Sequence, residues 1–381
     1  MLICQKDKFE FEEGITYLNG AYMSPLLKSV AEIGCDHLKK KMQPWRIAPS
    51  AFFDQVDRLK SLVSRMLNID TPDRIAIIPS ASYGVANAAK NIDFKKGDRI
   101  VLLDRQFPSN YYIWKKIANQ KELHIDIVSP PAQNQDRGKK WNANLLDAIN
   151  ERTKVVSMEH VHWTDGTLFD LEAVRKKTRQ VGALLIVDAT QSMGAYPFDQ
   201  QIFQVDALIA AAYKFMMGPY AMGLAYYGPA FDQGQPIEEN WINKEGSEVF
   251  EKLLDYTDEY KPGASRYSMG EQSQFIHVPM QIAATEQLLS WGVDHIQSYC
   301  ASLVDPLLSV LEQQGIWIED QPYRANHLFG LKPSQNITPK LKQNLMEHKV
   351  YVSYRGDTIR VSPNVYNTLE DLQKLINLLS P

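Results

Sequence analysis

Residues 183–227 read ALLIVDATQSMGAYPFDQQIFQVDALIAAAYKFMMGPYAMGLAYY, and their reading decides how the rest of the chain is organised. Three short apolar runs lie inside them. The first ends in Asp188. The second, Ala207 to Ala212, delivers Tyr213 and Lys214, and the third, Gly223 to Tyr227, follows a glycine-bearing turn. Unbroken apolar runs of this length, bounded by turn residues, fit strands buried on both faces of a parallel sheet. An acid and an amine at the ends of neighbouring strands suit one chemistry well. The amine forms an imine with an aldehyde cofactor, and the acid keeps the cofactor's ring nitrogen protonated. A surface lysine and a helix-capping aspartate fit the same two positions, so the pair alone leaves both readings open.

Upstream, RIAIIPSASYGVANAAKNI (74–92) gives a strand over Ile75 to Ile78, a turn over Ser80 to Ser82 and an alanine-rich helix from Tyr83. A strand entering a helix through small hydroxyl residues leaves unpaired backbone N–H groups beside a helix dipole. That is an anion site, with Ser82 placed to add its hydroxyl, although plain serine capping reads the same way. Strands at 99–104, 124–130 and 154–163 then alternate with helices at 110–119, 144–150 and 170–181. Such alternation predicts an α/β layer with a mostly parallel sheet. Ligands of such sheets bind at the carboxyl ends of the strands, where Ser82, Phe107, His162, Asp188 and Lys214 all fall.

Further out, Phe53, Val56, Leu59, Leu62, Val63 and Met66 recur at helical spacing over 53–67. YLNGAYMSPL (17–26) is a charge-free, turn-rich stretch whose Asn19 and Ala21 suit a loop at the lip of a substrate site. Residues 228–263 show no periodicity. Helices are predicted at 275–291, 295–314, 338–348 and from 369, with strands at 325–331 and near 351 and 359. The expected organisation is a large domain over 16–273 and a smaller one built from 1–15 and 274–381, closing over the cleft of the first.

Composition narrows the function. The charge is −4, from 41 basic and 45 acidic residues, which leaves no basic excess for nucleic acid. Cys4, Cys35 and Cys300 show no metal spacing and suit a reducing, cytoplasmic setting. No signal peptide or membrane-spanning run is expected, and the signatures of dinucleotide binding, the P-loop and zinc proteases are absent. His160 and His162 share a strand face beside Glu159 but lack further ligands for a metal. An imidazole making polar contact with a bound ring is the preferred reading there.

Taken together, these pieces resemble the class V aminotransferase family, of pyridoxal-phosphate (PLP) fold type I, with cysteine desulfurases, kynureninases and isopenicillin N epimerase-like proteins among its members. The likeness runs from YLNGAYMSP (17–25) to IRVSPNVYNTLEDL (359–372). It implies that Lys214 carries PLP as an imine, Asp188 pairs with the pyridine nitrogen and Gln191 bonds the phenolic oxygen. Ser82 with the amides of Ala81 and Tyr83 would hold the phosphate, aided by Tyr213. Phe107 would stack on the ring, His162 would lie in the cofactor site, and Arg360 would grip the substrate carboxylate with its bidentate fork. The desulfurase nucleophile has no counterpart: HKVYVSYRGDTIR (348–360) lacks cysteine. Glu271, in Met269-Gly270-Glu271, stands where relatives place a contact to the neighbouring subunit's phosphate. The resemblance thus implies a homodimer with shared sites, acting on a small α-amino acid. Transamination is the expected reaction. A kynureninase-like or other lyase or epimerase is the alternative, and a catalytically silent scaffold is a third.

Overall fold

The computed structural model describes residues 2–132 and 136–379. In chain order it contains β1 (Thr16–Tyr17), α1 (Lys28–Lys41), α2 (Asp54–Leu67), β2 (Ile75–Ile78), α3 (Ala81–Lys90), β3 (Arg99–Leu103), α4 (Ser109–Lys121) and β4 (His124–Val128). These are followed by α5 (Arg137–Ala148), β5 (Thr153–Glu159), α6 (Leu171–Val181), β6 (Leu184–Asp188), α7 (Gln200–Phe203), β7 (Ala207–Ala211) and β8 (Gly223–Tyr227). Beyond them come α8 (His277–Trp291), α9 (Val293–Val304), α10 (Leu308–Gln313), β9 (Phe329–Leu331), α11 (Pro339–Glu347), β10 (Val350–Tyr351), β11 (Ser353–Arg355), β12 (Thr358–Val361) and α12 (Leu369–Leu379).

The central sheet has seven strands in the order β2-β8-β7-β6-β5-β3-β4, and only β8 runs against the others. This is the mostly parallel α/β sheet that the alternation predicts. Every residue of β2, β7 and β8 is buried, because helices cover both faces. On one face Val85 and Ala88 of α3 pack with Trp114 and Ile117 of α4. On the other, Val30 of α1, Leu59 and Val63 of α2, Trp141 of α5 and Val278 of α8 form the larger core. Each fully buried Ile or Leu here contributes about 1.5–3 kcal/mol. A second lobe holds the antiparallel sheet β11-β12-β9 and the parallel pair β1-β10, closed by Leu303, Leu311, Leu375 and Ile376. The chain's start is stitched into it: Thr16 donates to Lys349 O through its amide and to Asp371 Oδ1 through its hydroxyl. Among the described residues no helix is long and apolar enough to cross a membrane.

Several elements differ from the sequence reading. Helix α1 was not predicted, since only Val30 and Gly34 of its fourteen residues are buried and its apolar stripe is thin. Helix α5 starts at Arg137, seven residues before 144. Its first residue is drawn inside by Asp165 (2.8 Å) and Glu319 (2.7 Å), partners remote in sequence. The helix predicted over 295–314 breaks into α9 and α10 at Pro306. Strand β5 stops at Glu159 instead of running to 163, and this matters most for the site.

Candidate active site

The carboxyl ends of β2, β5, β6 and β7 meet at a cavity of about 350 Å³. Seven of the predicted site residues line it: Ala81, Ser82, Phe107, Asp188, Gln191, Tyr213 and Lys214. Strands β5 and β6 run in register with Glu159 opposite Asp188, so two carboxylates end side by side. Thr190 donates its amide to Asp188 Oδ1 (2.9 Å) and accepts the Ala211 amide on its hydroxyl (3.1 Å), tying the aspartate to the neighbouring strand. Burial raises the Asp188 pKa, and the Thr190 hydrogen bonds and the Lys214 charge pull against it.

Lys214 follows β7 on a tight connection to β8. Ala212 donates to Met222 O, Gly218 donates to Ala212 O, and Ser24 donates to Tyr213 O. A side chain at Gly218 would meet Gln281 Oε1 at 1.7 Å, so a larger residue there would have to displace the Gln281 amide. The Lys214 amine is buried and makes no hydrogen bond to any described residue. It lies 5.2 Å from the Phe107 ring centroid. Burial and then the Arg360 charge lower its pKa to about 8, against the pull of Asp188 and Glu159.

Helix α3 begins at Ala81, two residues earlier than predicted, capped by Ser80. The Ser80 hydroxyl accepts the Tyr83 amide (3.3 Å) and contacts the Ser82 hydroxyl (2.9 Å). The first-turn amides of Ala81 and Ser82 fall outside the helix's own ladder and border the cavity. Tyr83 does not line it: its amide serves the cap and its hydroxyl donates to Glu238 (2.9 Å). Gln191 donates to Ala21 O (3.3 Å), while its Oε1 is buried without a partner.

Other predicted residues stand one layer back. His162 is buried away from the cavity, with Nδ1 on the Thr164 hydroxyl (2.7 Å), Nε2 on Asp104 O (3.1 Å) and its ring against Trp141. The ring at the cavity is Trp163 instead, edge-on to Phe107 at 5.4 Å. Asn19 accepts from the Ser353 hydroxyl, and the Ala21 amide donates to Ser362. Arg360 is buried, donating Nη1 to Trp163 O (3.0 Å) and Nη2 to Ser353 Oγ (3.2 Å), with Nε unpartnered. Burial and then Arg355 lower its pKa to about 9, which still leaves it cationic at neutral pH. Glu271 is exposed.

Glu159, like Trp163, is a site residue to which the sequence reading gives no role at the cofactor. Its two oxygens accept the amides of Phe107 (2.6 Å) and Trp163 (2.7 Å), which turns the chain out of β5 and fixes the loops carrying both rings. Burial, then the adjacent Asp188, push its pKa well above the carboxylate range. Asp165-Gly166, a turn signal six residues on, marks where the strand had to end.

An unpartnered buried amine, a carboxylate and free helix-start amides around one cavity are the donor set that PLP requires, so the residues present fit that group. Residues 48–375 match the family described as Aminotransferase class-V. The chain belongs to the class V aminotransferase family. Family membership brings PLP as the cofactor. Among the curated relatives, the uncharacterized aminotransferase YcbU of Bacillus subtilis is 27% identical over 315 residues, covering 80% of this chain and 78% of that one. Among solved structures, the cysteine desulfurase of Thermococcus onnurineus NA1 superposes with a TM-score of 0.83 at 18% identity, covering 100% of this chain and 98% of that one. The cystine C–S lyase C-DES gives 0.81 at 18%, covering 97% and 99%, and its lysine-to-alanine variant with glycine covalently linked to PLP gives 0.82 at 18%, covering 98% and 99%. At such identities the superpositions establish the class V fold and nothing finer.

Proposed function

We propose that the chain is a PLP-dependent aminotransferase acting on a small α-amino acid, a cytoplasmic homodimer in its working form. The observation that carries the proposal is Lys214: a buried amine without a hydrogen-bond partner, facing a cavity that also holds Asp188. Asp188 would hold the pyridine nitrogen, Lys214 the aldehyde carbon, Gln191 the phenolic oxygen and Phe107 a ring face. The Ala81 and Ser82 amides with the Ser82 hydroxyl would take the phosphate. Bound there, PLP supplies an electron sink for a bond broken at the substrate Cα. Arg360 would hold the substrate carboxylate and so orient the bonds at Cα. Lys214, with its lowered pKa, would take the proton from the substrate Cα and hold it at Nζ. Trp163 and Tyr213 add aromatic surface to the cavity wall beside the amine.

The exposed Met42 and Trp45 (76% and 78%) beside α1 support the dimer, and a solution mass of one 43.4 kDa chain would remove it. Desulfurase chemistry is disfavoured because no cysteine borders the cavity. Cys300 is buried, with its thiol pushed up to about 12 by burial. A lyase is the second reading, favoured by Phe107 and Tyr213 at the cavity. An amino-acid panel followed by absorbance separates the two. Given an amino acid and no keto acid, an aminotransferase stops after one half-reaction with loss of its visible band. Continuous turnover under those conditions would replace the aminotransferase reading with the lyase one.

A further inference from the structure

The aminotransferase reading uses one guanidinium for the substrate, yet two pack against Trp163, a ring that lines the cavity. Strands β11 and β12 pair with Ser353 opposite Arg360 and Arg355 opposite Thr358. Side chains alternate between faces along a strand, so Ser353, Arg355, Thr358 and Arg360 share one face. Ile359 turns to the other, into the lobe core. Arg355 and Arg360 are therefore diagonal neighbours across the hairpin. Both reach the indole of Trp163, with guanidinium carbons 4.8 and 5.9 Å from its ring centroid. That indole borders the cavity and stands against Phe107, the ring beside the Lys214 amine.

Neither guanidinium forms an ion pair with a described carboxylate. Arg355 is half-buried, donates one Nη to the Tyr354 carbonyl (2.7 Å), and keeps a buried Nε without a partner. Arg360 also has a free Nε. Two like charges gathered in a poorly solvated place cost free energy unless an anion joins them. Glu159 is the carboxylate whose charge reaches Arg360 from the cavity side, and its oxygens are already committed to two amides. The substrate's α-carboxylate accounts for Arg360 and leaves Arg355 over.

We infer that Arg355 binds a second carboxylate, so that the amino acid taken by this site is a dicarboxylic one. The inference rests on the aminotransferase reading only for where the substrate lies. A purely structural Arg355, bracing Trp163, would affect all ligands alike.

The test uses the PLP-loaded enzyme and ligands that cannot react. Titration calorimetry compares succinate with butyrate and glutarate with pentanoate, each pair equal in carbon number. One charge-assisted contact corresponds to a preference for the diacid of about 10- to 100-fold. Arg355→Gln should bring that ratio close to one, and Arg355→Lys should keep part of it. Equal affinities in the wild type would overturn the proposal, as would a ratio unchanged in Arg355→Gln or an equal loss for both ligands. If the glutamine variant does not fold, the wild-type ratio and the lysine variant decide. Because none of these ligands carries an amine, a failed aminotransferase reading would show in the amino-acid panel and leave this ratio untouched.

Discussion

Lys60 and Lys214 are each 5% exposed, and burial lowers each to a pKa of about 8, yet one braces a helix and the other faces a cavity. On α2, the Lys60 amine donates to the Ser265 hydroxyl (3.0 Å), with the charges of Asp57 and Asp73 favouring its protonated form. At the end of β7, Lys214 has neither a hydroxyl nor an ion pair. Its neighbours are aromatic rings and, through space, the Arg360 cation. A perturbed pKa alone therefore does not mark a reactive lysine. Perturbation joined to an unspent hydrogen-bond capacity at an open cavity does.

The largest expected effect separates the two outright. Lys214→Ala should abolish the visible absorption of bound PLP and lower turnover by about 10²–10⁴-fold or more, whereas Lys60→Met should keep the band. A band that survived Lys214→Ala would dissolve the distinction. The next effect is pH dependence. With a pKa near 8, about a tenth of Lys214 is neutral at pH 7, against well under a thousandth of an ordinary lysine. Recapture of PLP by the stripped protein should accelerate about tenfold per pH unit up to about pH 8 and then level off. A rate still climbing at pH 10 would mean an ordinary amine.

The smallest effect belongs to Lys60. Its folded pKa lies below the unfolded value of 10.5, so the unfolded chain holds the extra proton between about pH 8 and 10.5. Stability from this group thus rises with pH across that window, by up to about 3 kcal/mol. Urea unfolding of Lys60→Met against wild type should show that increment missing from the variant, and parallel curves would refute it.

Much of this was legible in the sequence because the central sheet is buried on both faces. Apolar runs such as 75–78, 184–188 and 207–211 could be little else, and their ends placed Asp188 and Lys214 correctly. Glu159 and Trp163 were hidden because β5 ends for a tertiary reason: the carboxylate captures two amides, one of them 52 residues away. Alternation continued past that point on paper and carried His162 to an edge it does not occupy. Arg355 was passed over likewise, since only the β11–β12 register sets it beside Arg360. The start of α5 depends on Asp165 and Glu319, whose distance along the chain defeats any local pattern.

The reversed direction of β8 carries one more consequence. Because β7 and β8 are adjacent and antiparallel, Lys214 rides on a hairpin whose two legs are interior strands, between β6 and β2. Its strands cannot slip in register without disturbing the neighbour on either side, so the sheet as a whole sets the position of the amine. The rim, by contrast, is built from loops and from the small β11–β12 sheet. An engineer wishing to retarget the enzyme would leave the tether alone and rewrite the rim.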